Sequence, residues 1–186
     1  MFKTLKILII LFLIPLYGNA QFTELTSNGF KLGDNNKGII IEIQNKTASE
    51  LYNGTLDFIN KNYINPTQLI IAKTENRYIR FTTLEKNIAK VKTVLGSTSI
   101  FGQTTYEIDF KDNKIRIYSI NPIWKRDDIH EDYPLKGDLI TASVYNLKGN
   151  IKPEALKNNV ISSINSYYNS FLNAYINHLK EINNDW

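Results

Sequence analysis

Tyr106-Glu107-Ile108-Asp109-Phe110 is followed by Lys111-Asp112-Asn113 and then by Lys114-Ile115-Arg116-Ile117. Apolar and polar residues alternate on both sides of a polar, Asn-containing turn. Alternation puts Tyr106, Ile108 and Phe110 on one face of a strand and Glu107 and Asp109 on the other. Ile115 and Ile117 repeat the pattern on the return. The segment is a β-hairpin with one buried face, and Glu107 and Asp109 belong to its exposed face.

Further strands precede the hairpin. Ile39-Ile40-Ile41-Glu42-Ile43 is β-branched and reads as a mostly buried strand. Residues 68–72 form a second candidate and residues 77–82 a third, alternating one. A longer extended region runs from Ala89 to Phe110, and residues 114–120 return from it. Between the first two strands, Thr47-Ala48-Ser49-Glu50 has the pattern of a capping box. Leu51, Phe58 and Ile59 share a face of the helix that follows. This helix should end near Asn62, ahead of Asn65-Pro66.

Residues 121–150 are the least regular part, and Leu139 to Leu147 could form another strand. Lys152-Pro153-Glu154 then opens a long helix, since Pro suits the first helical position. Leu156, Val160, Ile164, Tyr167, Phe171, Tyr175, Leu179 and Ile182 mark its apolar stripe, widened by Tyr168, Leu172 and Ile176. About 30 residues at 1.5 Å rise make a rod of roughly 45 Å. The order β-α-β-β-β-β-α implies an α+β two-layer domain, an antiparallel sheet with helices on one face.

Leu51-Tyr52, Phe58 and Asn62-Tyr63, with the strand Gln68-Leu69-Ile70-Ile71 and the hairpin 108–117, resemble a secreted Bacteroidetes family of domains of unknown function. That family has a TATA-binding-protein-like fold. The resemblance implies the same fold here, over roughly Gly38 to Ile120 and the final helix. It carries over no active site, and likeness of fold to a DNA-binding protein implies nothing about DNA.

The amino terminus sets the compartment. Lys3 and Lys6 precede an uncharged apolar run from Ile7 to Leu16, and Gly18 and Ala20 are small residues spaced for a signal peptidase. Cleavage is expected between Ala20 and Gln21, leaving 21–186 as one domain, soluble in the periplasm or outside the cell. The apolar run is shorter than the ~20 residues of a membrane span, and no other long apolar run follows. The chain has no Cys, hence neither a disulfide nor a lipoprotein anchor. Loss of Lys3 and Lys6 lowers the formal net charge from +4 to +2, which gives no case for nucleic acid as a partner.

Catalytic patterns are missing. There is no Cys nucleophile and no Gly-x-Ser-x-Gly. Gly33 and Gly38 have phosphate-loop spacing but are followed by Ile39 and Ile40. No cofactor is expected. The segment Trp124-Lys125-Arg126-Asp127-Asp128-Ile129-His130 is the candidate binding site, an aromatic beside cations followed by carboxylates and an imidazole. The leading expectation is a non-catalytic envelope module binding an unidentified protein or small ligand. Two alternatives remain: a metal-assisted hydrolase using the acidic loop 127–132, although no metal site is assigned, and a structural component forming homo-oligomers through the long helix.

Overall fold

A computed structural model describes residues 21–32, 38–93, 96–128, 130–138 and 142–182. The expected signal peptide and its cleavage site before Gln21 lie outside them.

The chain opens with a hairpin, β1 (Thr23–Thr26) and β2 (Gly29–Leu32). Next come β3 (Ile39–Glu42), α1 (Ala48–Asn62), the single turn α2 (Pro66–Leu69) and β4 (Ile70–Thr74). Three long strands follow, β5 (Tyr78–Thr93), β6 (Gly96–Lys111) and β7 (Lys114–Arg126). Two short parallel strands, β8 (Lys136–Gly137) and β9 (Tyr145–Asn146), lead to α3 (Pro153–Lys157) and α4 (Val160–Glu181). The main sheet has the order β3-β7-β6-β5-β4, antiparallel throughout.

The hairpin 106–117 forms as its alternation requires. Lys111 pairs with Lys114, and Asn113 turns the chain with φ +62°. Asn tolerates this left-handed conformation better than most residues. The capping box also forms. Thr47 Oγ1 accepts from the Glu50 N–H at 3.2 Å, and Glu50 Oε2 accepts from the Thr47 N–H at 2.7 Å. α1 ends at Asn62, as read from the sequence.

Four expectations need correction. The strand at 77–82 continues to Thr93, and the extended region 89–110 divides into two strands, β5 and β6. β5 crosses a wide irregularity between Glu85 and Ala89, where Asn87 has φ +55°. That irregularity breaks the alternation on which the reading relied. Secondly, the segment 121–150 is not irregular from its start, because β7 runs on to Arg126. Thirdly, β3 is an edge strand rather than a mostly buried one, with Ile40 63% exposed. Lastly, the carboxy-terminal helix is broken. α3 stops at Lys157, and Asn159 has φ +52°, which no helix continues through. At 22 residues α4 is about 33 Å long. The break takes Leu156 out of the stripe, where it is exposed, while Val160, Ile164, Tyr168, Leu172, Tyr175, Ile176 and Leu179 are buried as their spacing requires.

α1 and α4 cover one face of the sheet. Tyr52 meets Phe110 edge-on at 5.8 Å, and Phe171 stacks on Tyr106 at 4.7 Å. Phe58 lies between Phe171 and Tyr175, and the Tyr175 hydroxyl is hydrogen-bonded to Thr55 Oγ1 at 2.7 Å. Gly54 faces the end of α4: a Cβ there would lie 2.0 Å from Ile182 Cδ1 and 3.0 Å from Leu179 Cδ2. That contact explains a glycine inside α1 that costs roughly 1 kcal/mol against Ala.

α4 also carries the first hairpin. The N–H groups of Phe22 and Thr23 donate to Asn169 Oδ1, Asn169 Nδ2 donates to the Thr23 carbonyl, and the Leu25 N–H donates to Asn165 Oδ1. Asn side chains thus supply partners for the backbone of β1 where no strand does.

Among the described residues the core contains one carboxylate, Glu85, 3% exposed. Its Oε1 accepts from Tyr106 OH at 2.6 Å and Thr83 Oγ1 at 2.9 Å, and its Oε2 accepts from Thr104 Oγ1 at 2.7 Å. Tyr168 OH bonds Thr104 Oγ1 at 2.8 Å and receives the Trp124 indole N–H at 3.1 Å. Burial first, and then the Glu85 charge, pushes the Tyr106 and Tyr168 hydroxyls well above their ordinary range, so both stay protonated.

Where β6 passes this network, Gly102 faces Trp124 and Glu85 in the two ladders. A Cβ on Gly102 would stand 2.3 Å from the Ile123 carbonyl oxygen, which is backbone and cannot turn aside. Gly102→Ala should therefore lower the unfolding free energy by about 2–3 kcal/mol. Urea denaturation measures this, and an unchanged midpoint would show that the strands relax freely here.

Candidate functional site

The face of the sheet opposite α1 and α4 is not covered by any helix among the described residues. Register fixes what it displays. One row runs Leu84–Gln103–Ile123 across β5, β6 and β7, and the next Thr82–Thr105–Asn121. Then come Arg80–Glu107–Ser119 and Tyr78–Asp109–Arg116–Ile40. Leu84 is 55% exposed and Ile123 62%. They flank Gln103 one strand away on each side, so about 10 Å separates them at the usual strand spacing.

The polar end of the face is ordered by its own contacts. Tyr78 OH donates to Glu107 Oε2 at 2.8 Å, and Arg80 Nη2 donates to the same oxygen at 3.2 Å. Burial raises the Glu107 pKa, but the hydrogen bonds from Tyr78 and Arg80 outweigh it and hold the carboxyl below its ordinary value. Arg116 pairs with Asp109 and stands 5.5 Å over the Tyr118 ring. Tyr118, extra in β7 where the register shifts opposite Glu107 and Ile108, stacks on Tyr78 at 6.3 Å. Its hydroxyl is raised by burial first and by Tyr78 next. Two aromatic rings and two guanidinium groups therefore meet the solvent side of the sheet in fixed positions.

The six residues singled out in the sequence occupy the other end of β7 and do not converge. Trp124 belongs to the core, 4% exposed, with its ring edge-on to Phe30 at 6.3 Å. It sits on β7 and not in a loop, so it cannot act as a surface aromatic. Lys125 points to the opposite face and lies 3.8 Å from Asp132. Arg126 grips Asp128 through Nε at 3.2 Å and Nη2 at 2.6 Å. The hydrogen bond from Arg126 is the main cause of a lowered Asp128 pKa. Asp127 is exposed and donates its N–H to the Ser99 carbonyl. His130, at φ +55°, closes the turn by donating its N–H to the Arg126 carbonyl and meets Phe101 edge-on at 5.8 Å.

No three side chains of His, Asp or Glu come together as metal ligands among the described residues. His178, the second histidine, lies 3.2 Å from Asp57 between α4 and α1. No helix of the described residues is long and apolar enough to cross a membrane.

Sequence reasoning put Glu107 and Asp109 on an exposed face but missed their company. Leu84 was hidden because the strand was ended at Thr82. Ile123 was hidden because β7 was ended at Ile120. Strict alternation from the buried Phe81 leaves Leu84 on the exposed face, but alternation from the buried Ile117 assigns Ile123 to the buried face, since the extra residue Tyr118 changes the parity of β7.

No family model and no curated protein matches the sequence. Among solved structures the chain is similar to a TBP-like protein from Parabacteroides distasonis, with 16% identity and a TM-score of 0.55. The match covers 79% of this chain and 95% of that one. The chain is therefore an α+β protein with a TBP-like fold, an antiparallel sheet closed on one face by a long carboxy-terminal helix.

Proposed function

We infer that this protein is an exported, non-catalytic module that binds a partner, an envelope protein or a small ligand, on the uncovered face of its sheet. The observation that carries the reading is the row Leu84–Gln103–Ile123, two large apolar side chains more than half exposed on one sheet face. Apolar surface held out on a rigid sheet beside Tyr and Arg is the composition of protein-binding surfaces. Tyr78, Tyr118, Arg80 and Arg116 supply the second part here. Export rests on the amino-terminal pattern of charge, apolar run and small residues.

A double variant tests the face. Leu84 and Ile123 are both more than half exposed, so Leu84→Asp with Ile123→Asp leaves the core intact and should lower the melting temperature by about 8 °C at most. It should abolish retention of the partner that the parent captures from envelope extract. Equal retention by both proteins would refute the assignment. So would turnover on a hydrolase panel that metal chelation does not abolish.

A second reading is favoured by one feature. Leu156, 66% exposed, and Ile151 border a groove of about 620 Å³ along the outer side of α4. Self-association there would bury both. Light scattering at high concentration decides it, since a strict monomer contradicts it.

A further inference from the structure

Cleavage after Ala20 would leave Gln21 as the amino terminus of the mature chain. One residue later the chain is fixed. Phe22 packs against the core, and its N–H donates to Asn169 Oδ1 at 2.6 Å. The Thr23 N–H donates to the same oxygen at 3.1 Å, and the Thr23 carbonyl accepts from Asn169 Nδ2 at 2.9 Å. Gln21 itself is exposed and has no hydrogen-bond partner among the described residues.

Gln21 lines the groove along α4 together with Ser166, Asn169, Ser170 and Asn173. The described residues that line this groove include no ionisable side chain. An α-ammonium at Gln21 therefore meets no carboxylate there, whereas a neutral amide is matched by hydroxyl and carboxamide groups.

A glutamine at a free amino terminus carries a nucleophile and an electrophile on one residue. The unprotonated α-nitrogen attacks the side-chain Cδ, and the new N–C bond closes a lactam ring. The bond from Cδ to Nε2 breaks, and that nitrogen leaves as ammonia. The step needs no oxidant, reductant or second substrate, and its two reacting groups are already tethered. Among the described residues no hydrogen bond holds the Gln21 carboxamide away from its own α-nitrogen. Closure uses atoms of Gln21 alone, so the Phe22 N–H keeps its bond to Asn169.

We propose that Gln21 is a modification site, which closes to pyroglutamate once signal cleavage exposes it and so seals the start of the first hairpin. The proposal rests on the export reading above, which supplies the free amine. The seal protects a short lead. Aminopeptidases require a free α-amine, and trimming starts at chain termini. Loss of Gln21 and Phe22 would remove the Phe22 N–H bond to Asn169. It would also place a charged terminus on Thr23, which is 2% exposed, and burying a charge without a partner is costly.

The full precursor is expressed in the producing cell, and the exported protein is collected outside the cytoplasm. Its intact mass should be that of residues 21–186 less about 17 Da, the ammonia lost. Stepwise sequencing should be blocked, and should read Phe22-Thr23-Glu24 after treatment with a pyroglutamyl peptidase. The undiminished mass of 21–186, with sequencing that begins at Gln21, overturns the proposal and leaves the export reading standing. So does cleavage at another position. A chain that still carries residues 1–20 overturns both. A Gln21→Ala precursor tests the protective role. Under a broad-specificity aminopeptidase the exported parent should keep its mass, while the variant loses residues 21 and 22. Equal trimming or equal resistance of the two proteins would show that the lactam seals nothing.

Discussion

Glu85→Gln should lower the unfolding free energy by about 2–4 kcal/mol although it changes only one atom. The carboxylate accepts three hydroxyl hydrogens in the core. An amide at the same place has one accepting oxygen and an NH₂ group that must face at least one of those donors. If the NH₂ faces Thr104, the Thr104 hydroxyl must turn its hydrogen toward Tyr168. Tyr168 already receives the Trp124 N–H, so its own hydroxyl hydrogen is left without an acceptor. If it faces Tyr106 and Thr83, two hydroxyls lose theirs. Either orientation strands a buried donor, which costs more than a hydrogen bond contributes when made. The urea midpoint should fall with the slope unchanged, because the surface exposed on unfolding is the same. A variant with the parent's midpoint would mean that water reaches this network.

Trp124→Ala should cost about 3–5 kcal/mol, the range for removing a large aromatic from a core. The ring meets Phe30, and its N–H ends the chain of bonds that starts at Glu85. Trp124→Phe keeps most of the packing and loses the N–H, so about 1–2 kcal/mol is expected. Chemical denaturation of both variants separates the two contributions. A Trp124→Ala protein of undiminished stability would contradict a packed Trp124 and favour the other reading its place beside Lys125 and Arg126 allows, a recognition aromatic.

Trp124 shows what the sequence could and could not say. Its neighbours are charged, so the local composition resembles a recognition loop. Its true environment is set by strand parity and by the first hairpin, which brings Phe30 across 94 positions of sequence. Local pattern carried the elements that depend on local chemistry: the capping box at Thr47, the end of α1 before Pro66, and the turn at Asn113. It failed wherever a long-range pairing overrode the period. Glu85 lies in phase with Ile79, Phe81 and Thr83, hence on the buried face, yet a carboxylate is a poor sign of a core. Only the hydroxyls of Thr83, Thr104 and Tyr106 make its position tolerable, and two of them belong to another strand. The helix break is similar. The apolar steps pass smoothly through Asn158-Asn159, and nothing in their spacing records a left-handed residue.

The uncovered face follows the same logic. Its rows combine residues from β5, β6, β7 and β3 that no single window of sequence contains. Glu107 and Asp109 were legible as exposed. The Tyr78–Tyr118 stack and the Leu84–Ile123 pair require the register itself.

Site-specific photo-crosslinking in the producing cell tests the binding role of that face most directly. A benzoylphenylalanine is placed at position 84 or 123 on the sheet face, and at position 166 on the outer side of α4. The account predicts a discrete, higher-mass adduct from 84 and 123 and none from 166. No adduct at 84 and 123, or an adduct only at 166 with the mass of two copies of this chain, would contradict it.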